Sequence, residues 1–310
     1  MKRFSLFAAV LAIAPILATA DPFYFVQISD THQGPALHQW RFREAIRRID
    51  AYEFPIECVA HTGDLSANGF SEYMGRTIPN ILKLIRQPLV VCPGNHDLPL
   101  RKYDTEAKFL EMAATYRKTI GELGQAHESS NALYLAVCTE TIRQDGAPQV
   151  PDFDPIDWLD KRLAQTPDKP AFVFTHVPDC EDFFDGKFYP GWSSETNRVA
   201  FRAMLAKHPN VKAVIGGHFH RTVYAQNPDG IPTFAGPCIA SFWDRQGALR
   251  IYKYDNGCLS FQDVFLLDPA PETHINRDGI VVREEDEDKN GPEAPGDPEI
   301  PAGAVEKPAA

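Results

Sequence analysis

Five short stretches of the 310-residue chain gather side chains that can do chemistry: Asp30-Thr31-His32, Gly63-Asp64, Gly94-Asn95-His96-Asp97, His176 and Gly217-His218-Phe219-His220. Their donor atoms are carboxylate oxygen, imidazole nitrogen and amide oxygen, with no thiolate, a set that suits Zn, Mn or Fe. In Asp-x-His and His-x-His, two side chains one residue apart can enter one pocket once a strand has broken into a loop. One carboxylate can bridge two cations, and two cations about 3.5–4 Å apart clamp the attacking and leaving oxygens of a phosphoryl displacement. Singly, each block has an ordinary explanation: Asp and Asn beside Gly serve turns, and most histidines pack or face solvent. Five blocks together call for a common cause. The remaining histidines, His38, His61, His127, His208 and His274, match no block. His61 reads as packed within its strand and His208 as a helix-end residue.

The elements that must position these side chains follow from apolar periodicity. Residues 23–29, 56–62, 88–93, 131–139, 171–175 and 211–215 have the length and composition of buried strands. Segments 39–52, 71–86, 105–123, Pro155–Gln165 and 195–207 space apolar residues as helices do. From 222 to 264 short strands are separated by turn chemistry at 227–230, 245–247 and 255–257. Strand–helix alternation followed by a β-rich end predicts an α/β sheet with added antiparallel strands. Each chemical block falls at the carboxyl end of a strand, where open α/β sheets bind ligands. Turn glycines at 63, 94 and 216–217 let the backbone bend there.

In order and spacing, the series Asp30-x-His32, Gly63-Asp64, Gly94-Asn95-His96-Asp97, His176, Gly217-His218-x-His220 resembles that of the calcineurin-like metallophosphoesterases, over residues 23 to 236. The resemblance implies a four-layer sandwich, two mixed β-sheets flanked by helices, with the metal site at the carboxyl ends of the strands. It implies two metal ions (Fe, Zn or Mn), one held by Asp30, His32, Asp64 and His220. The other would be held by Asp64, Asn95, His176 and His218, with Asp64 bridging. It further implies a metal-activated hydroxide as nucleophile, His96 as the group that contacts the phosphoryl oxygens or protonates the leaving oxygen, and Asp97 as the residue that orients the His96 ring. The activity implied is hydrolysis of a small phosphodiester or phosphomonoester. The position three after Asp64 is Ala67, so the ligating tyrosine of purple acid phosphatases is missing. The Gly63-Asp64-Leu65-x-x-x-Gly69 block and the stretch Phe174-Thr175-His176-Val177-Pro178 are similar to the branch with cyclic-nucleotide and glycerophosphodiester phosphodiesterases. Substrate contacts are expected from His38, Trp40 and the acid- and aromatic-rich segment 179–192, where Phe183, Phe184, Phe188, Tyr189 and Trp192 either stack on a substrate or pack on one another; Arg221 either pairs with phosphate or lies in solvent.

Charge separates this reading from its rivals. The chain carries 31 basic and 42 acidic residues, a net of -11. That balance repels polyanions, so no nucleic-acid partner is expected and a nuclease of the same superfamily is disfavoured. A non-catalytic binding protein on this scaffold is disfavoured because every ligand position and His96 are filled. Met1-Lys2-Arg3, an apolar run from Phe4 to Leu17, and Ala18-Thr19-Ala20 form the pattern of an export signal cleaved after residue 20. The protein is therefore expected to be periplasmic or secreted, with no membrane span in the mature chain. From residue 284 nine acids face two bases, and the Gly-, Pro- and Ala-rich remainder supplies little to bury, as in a disordered tail. The single domain is expected over 21–283. None of the six cysteines shows the Cys-x-x-Cys spacing of a zinc ribbon, and only Cys238 and Cys258 suggest a disulfide.

Overall fold

The computed structural model describes residues 21–99, 105–184, 187–226, 230–240, 246–270, 273–276 and 278–281. The expected export signal and the acidic tail from 284 lie outside these residues.

Period-two alternation sets the faces of the leading strand, β1 (Phe23–Ile28). Phe23 and Phe25 point to one core, Val26 and Ile28 to another. Helix α1 (Ala36–Asp50) follows, then β2 (Ile56–His61), α2 (Glu72–Leu82), β3 (Leu89–Val91) and α3 (Glu106–Thr119). Strands β4 (Gly124–Glu128) and β5 (Leu133–Val137) form a hairpin before α4 (Pro155–Gln165) and β6 (Ala171–Phe174). A small separate hairpin, β7 (Glu181–Phe184) with β8 (Lys187–Pro190), precedes α5 (Glu195–Ala206) and β9 (Val211–Gly216). The chain then turns β-rich through β10 (Val223–Gln226), β11 (Pro232–Ala235), β12 (Ala248–Asp255) and β13 (Cys258–Phe265). Helices α2 to α5 begin on Ser71, Thr105, Asp154 and Ser194, whose side chains accept backbone N–H groups of the first turn.

Two mixed sheets result, in the orders β13-β12-β1-β2-β3 and β10-β11-β9-β6-β5-β4. In the first sheet β1-β2-β3 are parallel out to the β3 edge and β12 and β13 antiparallel on the other side; in the second, the central β5-β6-β9-β11 are parallel and the edge strands β4 and β10 antiparallel. The sheets face each other across an aromatic core in which Phe25 meets Phe172, Phe174, Tyr134 and Tyr252. On the outer face of the first sheet Phe42, Ile78 and Phe109 bring in α1, α2 and α3. On the outer face of the second, Leu159, Leu163, Phe201 and Leu205 bring in α4 and α5. The expected four-layer arrangement is present, and among the described residues no helix is long and apolar enough to cross a membrane.

Three sequence expectations change. Strand β4 is an addition to the expected elements: Gly124-Gln125-Ala126-His127-Glu128 is largely polar and carries no apolar strand pattern, as can happen in an edge strand. The suggested Cys238–Cys258 disulfide is not formed: Cys238 is buried with its Sγ on Asp30 O (3.5 Å), and Cys258 is exposed beside the β12–β13 turn. Within segment 179–192, Trp192 is buried against Phe201 and donates its indole N–H to Val177 O (3.0 Å), so it packs the core rather than facing a substrate. The side chains of Phe183, Phe184, Phe188 and Tyr189 lie outside the described part of the structure.

One buried polar residue fastens the two sheets at the end where the chemical blocks emerge. Gln27, in β1, donates to Thr62 Oγ1 (3.0 Å) just beyond β2 and to Gly216 O (2.6 Å) at the end of β9, and accepts from the Tyr252 hydroxyl (3.1 Å). Apolar replacement orphans those partners in the core, at roughly 1–3 kcal/mol per buried unsatisfied group. Gln27→Leu is expected to lower the unfolding free energy by about 2 kcal/mol in a urea titration; an unchanged midpoint would remove this cross-link from the account of stability.

Candidate metal centre

Parallel registry brings the carboxyl ends of β1, β2 and β3 to one edge, and face-to-face packing adds those of β6 and β9. Beyond its strand each chain segment breaks sharply. Asp30 (φ 53°), His32 (39°), Asp64 (53°), His218 (68°) and His220 (53°) all adopt left-handed backbone, which is rare outside glycine. Such strain persists only where the surroundings impose it. Here the imposing contacts are backbone ones: Asp30 N donates to Gly63 O (3.0 Å), His32 N to Asp64 O (2.9 Å) and Gln33 N to Leu65 O (2.7 Å). The β1 and β2 loops therefore run on as a zipped pair after the sheet has ended. Gly217 N donates to His176 O (2.8 Å) in the corresponding place on the second sheet.

Gly94 and Gly217 are among the glycines that close approach requires. A Cβ on Gly94 would overlap Asp64 Oδ1 and come within 2.7 Å of the His176 ring. A Cβ on Gly217 would collide with the Ser29 hydroxyl and the Asp30 carboxylate.

The side chains converge in two groups that share Asp64. In one, ligand-type atoms of Asp30, His32, Asp64 and His220 all lie within 4.8 Å of one another. His220 Nε2 is 3.1 Å from Asp30 Oδ1, and His32 Nε2 is 3.6 Å from Asp64 Oδ2 and 3.3 Å from His220 Nε2. In the other, His176 Nε2 is 3.2 Å from Asp64 Oδ2 and 3.0 Å from Asn95 Oδ1, and the His218 ring sits 5.4 Å from the His176 ring, centroid to centroid. The structure brings all seven expected ligand residues to this edge.

The Asp64 carboxylate has two distinct oxygens. Oδ1 accepts the backbone N–H of His96 (2.7 Å). Oδ2 is buried, accepts no hydrogen bond and faces both groups. A buried carboxylate oxygen with no donor is costly unless a positive charge balances it, and the surrounding imidazole nitrogens are what a cation would use. The residues fit a pair of metal ions. His176 is already oriented for ligation: Nδ1 donates to Thr62 O (2.8 Å), which leaves Nε2 toward Asp64.

Electrostatics agree with a site that needs positive charge. Burial works to raise the pKa of Asp30, but His220 and His176 outweigh it and hold the carboxyl below the usual range. For Asp64, burial is likewise outweighed, by His176 and His96, and the group stays well below its ordinary value. Burial alone would strip His176 of its proton, yet Asp64, by its charge and its nearness to Nε2 (3.2 Å, outside hydrogen-bonding geometry), and then Asp30 push its pKa up to about 10, so Nε2 holds a proton where a bound cation would otherwise sit. Burial dominates at His32, pushed down to about 3, and at His218, also lowered.

The expected role of Asp97 requires correction. Its buried carboxylate accepts backbone N–H groups from Ser66 (2.8 Å), Gly94 (2.9 Å) and Leu65 (3.1 Å), fastening the β3 turn to the β2 turn. Burial, then the nearby Asp64 charge, raise its pKa to about 6. The His96 ring is held instead by Ala67 O, 2.7 Å from Nδ1, and lies edge-on to His32 with centroids 4.7 Å apart. A main-chain carbonyl leaves no trace in residue type, so the sequence offered no signal for it. Of the other residues singled out, His38 Nδ1 donates to His32 O (2.8 Å) beneath the site. His208 pairs with Asp160 (2.6 Å) at the end of α5, away from it.

Comparison with known proteins agrees with this geometry. The model of the calcineurin-like phosphoesterase family matches residues 23–222. The probable glycerophosphodiester phosphodiesterase GpdQ of Arcobacter nitrofigilis is 25% identical over 217 residues, which cover 63% of this chain and 71% of that one. The 3',5'-cyclic adenosine monophosphate phosphodiesterase CpdA of Escherichia coli K12 is 24% identical over 209 residues, covering 63% and 69%. Among solved structures, a dimetal phosphatase from Danio rerio superposes with a TM-score of 0.52 at 14% identity, over 79% of this chain and 99% of that one. That likeness concerns the fold. With two mixed sheets, a shared buried carboxylate and a family match across most of the described domain, the chain belongs to the calcineurin-like phosphoesterase family and is a metal-dependent phosphoesterase.

Proposed function

We propose that this protein hydrolyses a small phosphodiester, of the cyclic-nucleotide or glycerophosphodiester class, at the centre shared by Asp64. The observation that carries the reading is Asp64 Oδ2, buried without a hydrogen bond and facing both groups of ligand-type atoms. The names of the sequence relatives support the diester class. In this reading Asp30, His32 and His220 complete one metal site, Asn95, His176 and His218 the other, and Asp64 serves both. The bound cations supply Lewis acidity toward a phosphoryl oxygen and a water of low pKa.

The chain's own groups do the positioning. Asp64 is fixed by the His96 N–H on Oδ1, so Oδ2 keeps one direction. Asp30 is fixed by the Ser29 hydroxyl (2.5 Å) and by His218 N (3.2 Å to Oδ2). His96, anchored through Nδ1 to Ala67 O, has its other nitrogen available for the substrate and is only part-buried. When the ring carries a second proton, Nε2 can pass it to the oxygen that departs as the P–O bond breaks. The chemistry needs the five strand ends together, which explains why so many backbone contacts secure them.

Chelator treatment should abolish hydrolysis of bis(p-nitrophenyl) phosphate, and added Mn²⁺ or Zn²⁺ should restore it. A panel of cyclic nucleotides, glycerophosphodiesters and monoesters should then give the highest kcat/KM on a diester; a monoester preference would reject the proposed class. His96→Ala should lower kcat by about 10²–10⁴-fold with metal content nearly intact, whereas Asn95→Ala should weaken one ion. An emptied site in His96→Ala would reverse the role given to His96. We also propose export, on the strength of the Met1-to-Ala20 pattern. The mature protein should begin at Asp21 by N-terminal sequencing, and an intact Met1 on the purified native protein would refute this.

A further inference from the structure

Outside the ligand-type residues, one buried imidazole touches both loops that carry Asp30, His32 and Asp64. His61, the last residue of β2, has no solvent exposure and packs edge-on against Phe42 of α1, centroids 5.7 Å apart. Its two nitrogens face different loops. Gly63 N lies 3.2 Å from Nδ1, and Thr31 Oγ1 lies 3.1 Å from Nε2. A backbone N–H can only donate, so Nδ1 is the bare nitrogen and Nε2 carries the hydrogen. Nε2–H therefore donates to the Thr31 hydroxyl, and that hydroxyl donates onward to Leu65 O (3.3 Å). The chain of donors has one direction and leaves neither nitrogen unused. Burial, the largest influence on this ring, pushes its pKa down to about 3, in keeping with a neutral imidazole of fixed tautomer.

The placement of these bonds relative to the strained residues is what gives them a role. Thr31 lies between Asp30 and His32, and Gly63 and Leu65 flank Asp64. Asp30, His32 and Asp64 are the three left-handed residues other than glycine in the zipped loops. Backbone hydrogen bonds join those loops along their edges, and the His61–Thr31 contact, continued from Thr31 Oγ1 to Leu65 O, adds a side-chain tie from the core side directly between the strained residues. We propose that His61 and Thr31 form a positioning clamp for the metal centre, holding the Asp30–His32 turn against the Gly63–Asp64 turn so that the shared carboxylate and its partners keep one geometry. This rests on the ligand assignment given under Proposed function.

Residues that orient metal ligands through hydrogen bonds typically change metal affinity 10–100-fold when removed. The test is calorimetric titration of Mn²⁺ into chelator-stripped protein, with the thermal midpoint of the stripped protein measured alongside. Thr31→Val keeps the shape and loses the hydroxyl; it should raise the Mn²⁺ dissociation constant at least tenfold while the stripped protein still unfolds in one cooperative transition, at a lower midpoint because His61 Nε2–H and Leu65 O lose their partner. Thr31→Ser should bind like the parent. His61→Phe keeps the aromatic contact and loses both nitrogens; it should show a similar loss, and the double variant should lose no more than the larger single one. Parental Mn²⁺ affinity in Thr31→Val, or failure of Thr31→Ser to preserve it, would overturn the clamp. Should His61→Phe fail to fold, the two Thr31 variants decide alone. Asp64→Asn separates the two levels: if it too binds Mn²⁺ normally, the ligand assignment itself is wrong, whereas loss there with none in Thr31→Val removes only the clamp.

Discussion

Asp30 and Asp64 carry negative charge into a place that water scarcely reaches, and their neighbours are arranged around that fact. Isolated carboxylates so placed would cost several kcal/mol each and would take up protons instead. Imidazoles on four of the five strand ends, backbone N–H groups and the Ser29 hydroxyl keep both acids charged. The same packing leaves Asp64 Oδ2 without a hydrogen-bond donor. A site with two buried acids, many nitrogen donors and one unanswered oxygen is built for cations, and the fold can be understood as the means of assembling it.

That assembly depends on both sheets. The β1, β2 and β3 ends supply Asp30, His32, Asp64, Asn95 and His96, and the β6 and β9 ends supply His176, His218 and His220. Neither sheet holds a complete set. The separation and registry of the sheets, fixed by the Phe25 aromatic core and by the Gln27 cross-link, therefore set the separation of the ligand-type atoms. Tight interiors tolerate little slippage, which makes the packing of residues far from the chemistry part of the site's precision.

Much of this was legible in the sequence, for a physical reason. Strand ends are where apolar alternation stops, so Asp30, Asp64, Asn95, His176 and His218 stood out at the edges of clear patterns. Helix α4 was read to the residue because Asp154 caps it and Pro155 suits its first turn. What stayed hidden depends on contacts between distant segments. Gln27 reads as an interruption in an apolar strand until Thr62 and Gly216 are seen around it. His61 reads as packed, which it is, but its reach to Thr31 exists only once the loops are zipped. Asp97 stands next to His96 in the sequence, but the three backbone N–H groups that claim its carboxylate come from turns no residue code specifies.

The left-handed backbone at five of the seven ligand-type positions bears on how such sites drift. Aspartate and asparagine tolerate that conformation better than most residues, while alanine in it is disfavoured by roughly 1–2 kcal/mol. Alanine at Asp30 or Asp64 would thus remove a carboxylate and load the loop with conformational stress at once. Glycine or asparagine would change the chemistry while sparing the turn. Neutral wandering at these positions is accordingly channelled toward Gly and Asn, so a descendant that had abandoned catalysis could keep the shape of the pocket long after its charge was gone.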